Sequence, residues 1–183
     1  HTLYWATPKE IFRWSSNVGT VEAAQRVTNE EYYETLTSFG IGRPAGIDLP
    51  GESGGILRPV SQWTNMSRSS LPMGYEFAAT PLQILNTVSG ILNEGRLMKP
   101  YIVAERRAAD GALLWKAQPE VVRQIVRPST SAIMKEFMED VVTNGTGKKA
   151  SIISNGGRWR AGGKTGTTRK SDQKHREYIA SFI

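Results

Sequence analysis

Apolar residues recur along this chain at spacings of three and four over several stretches, and most of those stretches open on a residue that can cap a helix. Thr7-Pro8-Lys9-Glu10 combines a capping hydroxyl, a proline at the first helical position and a glutamate three residues after the threonine, which predicts a short helix. Val18 to Val27 suits a second helix. Asn29-Glu30-Glu31 is read as the cap of a third, whose face includes Tyr32, Leu36 and Phe39 and which ends at Gly40. Thr80-Pro81 opens the clearest helix, with Leu82, Leu85, Val88, Ser89 and Leu92 on one stripe and Gly95 beyond its end. A last helix is predicted from Ser129 to Val142, with Ile133, Phe137, Met138 and Val141 facing inward.

Between and after these helices the pattern changes. Residues 40–60 are rich in Gly and Pro, yet Ile41, Ile47, Leu49, Ile56 and Leu57 recur through them, so the segment reads as an irregular connection packed on the body. Tyr101-Ile102-Val103 and Leu113-Leu114-Trp115 flank Asp110-Gly111, a hairpin signal. After a flexible Asn144-Gly145-Thr146-Gly147 come two short strands, one with Lys164-Thr165-Gly166 and one over Tyr178–Ile183, joined by a charged loop. Helices followed by adjacent strands predict an α+β fold, and since two strands alone are marginal, the sheet is expected to be incomplete. His1 in place of methionine and an apolar run ending at Ile183 read as a span cut at both ends from a longer domain.

The 183 residues hold 39% hydrophobic and 22% charged side chains, a balance that excludes disorder and fibres. With no cysteine there is neither a disulfide framework nor a thiolate metal site. His1 and His175 are the only histidines and lack ligand spacing, so no metal or cofactor is expected. Nothing approaches the roughly 20 apolar residues of a membrane-spanning helix, and no signal peptide opens the chain. The net charge of +6 concentrates at Arg158, Arg160, Lys164, Arg169, Lys170, Lys174 and Arg176. That cluster could attract an anion, but without a nucleic-acid-binding signature no nucleic-acid partner is expected.

The candidate chemistry lies in two short motifs. In Lys164-Thr165-Gly166-Thr167, an ammonium sets a positive field, two hydroxyls can hydrogen-bond a carboxylate, and a glycine admits a substrate backbone. The Thr167 N–H is placed to meet a developing oxyanion. In Ser15-Ser16-Asn17, a hydroxyl able to relay a proton and an amide able to orient a carbonyl stand two residues apart. The first motif is moderately specific. The second alone is common and is equally a helix cap.

Both motifs, in this order, resemble those of the transpeptidase domain of class B penicillin-binding proteins. The resemblance also runs through Phe39-Gly40-Ile41-Gly42, Thr80-Pro81-Leu82-Gln83, Leu97-Met98-Lys99-Pro100-Tyr101-Ile102 and Asn144-Gly145-Thr146-Gly147. It implies a β-lactamase/transpeptidase-like fold, here mostly the helical part plus two strands of the antiparallel sheet, and a serine acyl-enzyme that crosslinks peptidoglycan stem peptides ending in D-Ala-D-Ala. β-Lactams would be trapped by the same site. Ser15, Asn17 and Lys164 take the catalytic roles and Thr165, Gly166 and Thr167 the substrate-binding ones. A bacterial, extracytoplasmic setting is implied, with a membrane anchor and cell-wall machinery reached through an upstream segment.

The family's Ser-x-x-Lys, which carries the nucleophile, has no counterpart ahead of Ser15. The only such spacing, Ser171-Asp172-Gln173-Lys174, falls in the polar loop after the LysThrGly strand and reads as a decoy. The span is therefore expected to be inactive by itself, lacking both that upstream segment and a C-terminal strand and helix. A serine β-lactamase or a β-lactam sensor domain is the alternative. The Glu-x-x-Leu-Asn pattern of class A hydrolases has no match, since Ser89-Gly90-Ile91-Leu92-Asn93 lacks the acid. A P-loop nucleotide site is more remote: Gly163 follows Gly162 where the lysine should stand, and a helix is required after the lysine.

Overall fold

The computed structural model describes residues 5–151, 159–169 and 177–183. In chain order the helices are α1 (Pro8–Trp14), α2 (Asn17–Ala24), α3 (Asn29–Ser38), α4 (Ser67–Ser70), α5 (Pro81–Leu92) and α6 (Pro128–Asn144). The strands are β1 (Ile56–Leu57), β2 (Phe77–Ala78), β3 (Arg96–Met98), β4 (Glu105–Arg107), β5 (Leu113–Lys116), β6 (Val121–Gln124), β7 (Thr165–Arg169) and β8 (Tyr178–Phe182). They pair antiparallel as β1–β2, β3–β6, β4–β5 and β7–β8. The α+β expectation holds, with more strand among the described residues than the two strands and one hairpin read from sequence. The chain divides into two compact units, one of His1–Ala24 with Ala132–Ile183 and one of Gln25–Ser131.

Helix starts follow local chemistry. Capping boxes close the N-termini of α1 (Thr7 with Glu10), α3 (Thr28 with Glu31) and α5 (Thr80 with Gln83). At α3 the cap is Thr28, not the expected Asn29. Starting one residue earlier places Glu31 at the third helical position, where its carboxylate receives the Thr28 N–H at 2.7 Å.

In the unit Gln25–Ser131, tertiary contacts overrode the apolar stripe expected on α5. Leu85 is 54% exposed, whereas the inward row is Gln83, Thr87 and Gly90. Gln83 is almost fully buried and acts as a hub. Its Nε2 donates toward the carbonyls of Gly40 (3.2 Å), Arg43 (2.8 Å) and Gly54 (2.8 Å), and its Oε1 accepts from the Thr80 N–H (2.7 Å). Those bonds fasten the Gly- and Pro-rich connection to the helix, and Ile41 is buried beneath it. Gly90 lets β3 approach, since a Cβ there would stand 3.2 Å from the Leu97 Cα.

The hairpin forms around Asp110-Gly111, but its first strand is β4 at 105–107 rather than Tyr101-Ile102-Val103. The hairpin closes with the Ala108 N–H on the Ala112 carbonyl at 2.9 Å and continues as far as the Ala117 N–H on the Ala104 carbonyl at 2.8 Å. The expected strand is held instead by Asp48, whose carboxylate accepts the N–H groups of Ile102 (2.7 Å) and Val103 (2.9 Å).

In the unit His1–Ala24 with Ala132–Ile183, the core is centred on Met138, Val141 and Val142 of α6. Phe12 of α1 meets Phe137 with ring centroids 6.0 Å apart. Ile133, expected inward, is half exposed. Gly145 and Gly147, expected in a flexible run, are buried in close packing. A Cβ on Gly145 would lie 2.6 Å from the Arg13 carbonyl, and one on Gly147 would lie 3.1 Å from Val141 Cγ1.

Candidate active site

Ser15 terminates α1 in the left-handed conformation, φ 51° and ψ 46°, which costs a non-glycine residue about 1 kcal/mol. Its N–H still closes the helix onto Ile11 and Phe12. The kink lets Ser16 cap α2, with Ser16 Oγ accepting the Gly19 N–H at 3.2 Å, and sets Asn17 as the first residue of that helix. Ser15 and Asn17 are both exposed at this junction. The two short helices pack closely at this junction, where a Cβ on Gly19 would fall 2.6 Å from Ile11 Cγ1.

A second lock fixes the end of α1. The Arg13 guanidinium pairs with Asp140 on α6, whose other oxygen accepts from Asn144 Nδ2 at 2.8 Å. The Arg13 carbonyl in turn receives the Thr146 N–H at 3.4 Å. Burial alone would raise the Asp140 carboxyl. The hydrogen bonds from Arg13 and Asn144 and the charge of Arg13 outweigh it and hold the group below the usual aspartate range.

Lys164 precedes β7 and exchanges both backbone bonds with Ile183, at 2.9 and 3.2 Å. The register Gly166↔Ser181 and Thr168↔Ile179 then turns the even-numbered N–H groups toward β8. Those of Thr165 and Thr167 point the other way, toward an edge with no partner strand among the described residues. Gly163 and Gly166 permit this path, since a Cβ on Gly163 would lie 2.3 Å from Phe182 Cζ and one on Gly166 2.6 Å from Ser181 Oγ.

The two motifs meet. Lys164 Nζ donates to Ser15 Oγ and to the Thr165 carbonyl (3.0 Å), and lies 5.7 Å from the centroid of the Phe12 ring. Burial draws its ammonium below the usual lysine range. On the other side Thr165 Oγ1 lies 2.7 Å from Thr146 Oγ1. Of the predicted residues, Ser15 and Lys164 are in direct contact, Asn17 stands two residues from Ser15 on α2, and Thr165, Gly166 and Thr167 line up on β7.

Sequence reasoning read a helix cap in Ser15-Ser16-Asn17 without assigning it to Ser16, and it missed Phe12 beneath the ammonium and Thr146 beside Thr165. Ser16 was legible as a hydroxyl three residues before Gly19; the other two contacts join distant segments and leave no local signal. Ser171 to Lys174, both histidines and much of the basic cluster (Arg158, Lys170, Lys174, Arg176) lie outside the described residues. A strand, not a helix, follows Lys164, which removes the P-loop reading.

A lysine leading into an open strand edge, met by a serine from a helix junction, is the arrangement of the β-lactamase/transpeptidase-like α+β fold. The chain belongs to the penicillin-binding protein transpeptidase domain family, class B, whose family model matches residues 2–183. It is 35% identical to penicillin-binding protein PbpB of Mycolicibacterium smegmatis over 93% of this chain and 26% of that protein. With stage V sporulation protein D of Bacillus subtilis the identity is 34%, over 95% of this chain and 27% of that protein. The chain thus spans about a quarter of the length of these relatives. Among solved structures, penicillin-binding protein 3 of Mycobacterium tuberculosis in its apo form superposes with a TM-score of 0.84 at 31% identity, covering 96% of this chain and 41% of that one. The same protein complexed with ampicillin gives 0.83 at 32% identity, covering 94% and 39%.

Proposed function

We propose that this chain forms one wall of the catalytic cleft of a peptidoglycan D,D-transpeptidase acting outside the bacterial cytoplasmic membrane. The observation that carries the reading is the hydrogen bond from Lys164 to Ser15, joining the two motifs across the chain. Membership of the family and the relatives' names support it. One relative, of Mesostigma viride, is named a peptidoglycan D,D-transpeptidase FtsI homolog, and the PenA proteins of Neisseria carry the name "Probable peptidoglycan D,D-transpeptidase PenA".

A serine from a segment outside these 183 residues attacks the carbonyl of the penultimate D-alanine of a stem peptide. The oxyanion that develops is met by the Thr167 N–H at the open edge of β7. As the tetrahedral adduct collapses, the bond to the terminal D-alanine breaks and its nitrogen takes a proton by way of Ser15, which Lys164 holds and polarises. Asn17 orients the substrate carbonyl. The hydroxyls of Thr165 and Thr167 bind the terminal carboxylate, and Gly166 lets the peptide lie close to the strand. The amine of a neighbouring strand then attacks the acyl-enzyme, and the serine is released. A β-lactam follows the same first step and stays bound.

A fluorescent penicillin should label the intact protein covalently, and Lys164→Ala should abolish labelling while circular dichroism stays unchanged. Labelling of the isolated 183-residue chain at Ser171 would overturn the assignment of the nucleophile. Full labelling of the Lys164→Ala protein would remove Lys164 from the mechanism.

A further inference from the structure

We infer that Thr146 is a positioning residue for carboxylate recognition, acting through the Thr165 hydroxyl; the inference deepens the transpeptidase reading and rests on it. Two hydroxyls 2.7 Å apart share one proton between their oxygens and leave the other free to donate outward. When a carboxylate reaches the edge of β7, the arrangement that satisfies all three groups is a chain in which Thr146 donates to Thr165 and Thr165 donates to the carboxylate. Hydrogen bonds aligned in this way polarise one another, so the outer bond is stronger than Thr165 could make alone.

The position of Thr146 is set by its neighbours. Gly145 is buried against α1 and α6 and Gly147 against α6 and Phe182 of β8, and the Thr146 N–H reaches the Arg13 carbonyl at 3.4 Å. Its hydroxyl is therefore held in place by packed backbone while the side chain stays exposed at the site. Thr165 is held too: it lies opposite Phe182 in the strand register, and its carbonyl accepts from Lys164 Nζ. The contact thus joins two fixed elements and aligns a donor with the face where a substrate strand would pair.

The test compares acylation of the intact protein by benzylpenicillin, which carries the carboxylate, and by its methyl ester, which does not. Thr146→Val, isosteric but without the hydroxyl, should lower the benzylpenicillin rate constant about threefold, because the Thr165–carboxylate bond persists but loses the donor that polarises and aligns it. The ester rate should change less than twofold, and Thr146→Ser should restore the wild-type ratio. A fall by the same factor with both probes, or with neither, would overturn the assignment. In the double variant Thr146→Val/Thr165→Val the two losses should not add; additive losses would also overturn it. Failure of the wild-type protein to be acylated by either probe would refute the transpeptidase reading instead.

Discussion

Replacing Asp140 by alanine removes the carboxylate that ties the end of α1 to α6. Asp140 keeps 7% of its side-chain surface and Arg13 24%, so the variant strands a mostly buried guanidinium and frees Asn144 Nδ2. Breaking a fully buried pair costs about 3–5 kcal/mol. Arg13 can recover part of its hydration through its exposed quarter, which brings the expected loss to about 2–3 kcal/mol. For a chain of this size that corresponds to a fall in melting temperature of about 5–10 °C. The sign of the pH dependence follows from the lowered carboxyl. A group with a depressed folded-state pKa contributes stability that is present above its unfolded value, near 3.9, and is lost as pH falls through the folded value. Thermal unfolding of wild-type and Asp140→Ala proteins should thus show the widest gap at neutral pH, closing below about pH 4. A loss under about 1 kcal/mol at pH 7, or a gap of constant width down to pH 3, would refute the account. Because Ser15 lies two residues beyond Arg13, penicillin acylation should also slow in the variant.

The Gln83 hub predicts that Gln83→Leu leaves the carbonyls of Gly40, Arg43 and Gly54 unpaired, destabilising the protein by about 3 kcal/mol; limited proteolysis should then cut within residues 40–55. Gly163→Ala, which drives a methyl group into Phe182 and the Ile183 carbonyl (2.5 Å), should abolish acylation, whereas Gly111→Ala, strained at φ +86° but with open space around it, should leave acylation at wild-type rate and cost only about 1 kcal/mol of stability. Burial lowers the Lys164 pKa, so the folded state binds its proton less tightly than the unfolded chain, and stability should rise with pH between the lowered value and the ordinary lysine value near 10.4. Lys164→Met should flatten that rise in unfolding experiments between pH 8 and pH 11.

Sequence alone determined the parts of this protein whose causes lie within a few residues. The boxes at Thr7–Glu10 and Thr80–Gln83 start helices wherever they fall, Asp110-Gly111 makes a hairpin, and a Ser-x-Asn triplet between two helical runs sits at their junction. Lys164-Thr165-Gly166-Thr167 was legible as a motif carried on a strand because its pattern is written in consecutive residues, and β7 begins at Thr165. Tertiary structure decided what depends on partners far along the chain. Apolar spacing on α5 pointed to Leu85, yet Gln83 turned inward because four backbone groups from residues 40–54 and 80 needed its carboxamide. The pairing of β3 with β6 and the contact between Thr146 and Thr165 leave no local trace for the same reason. Ser15 and Lys164, 149 residues apart, could be assigned to one site by resemblance, but only the fold puts the ammonium against the hydroxyl, because the αL turn at Ser15 and the Gly163 approach to β8 aim both side chains at the same point.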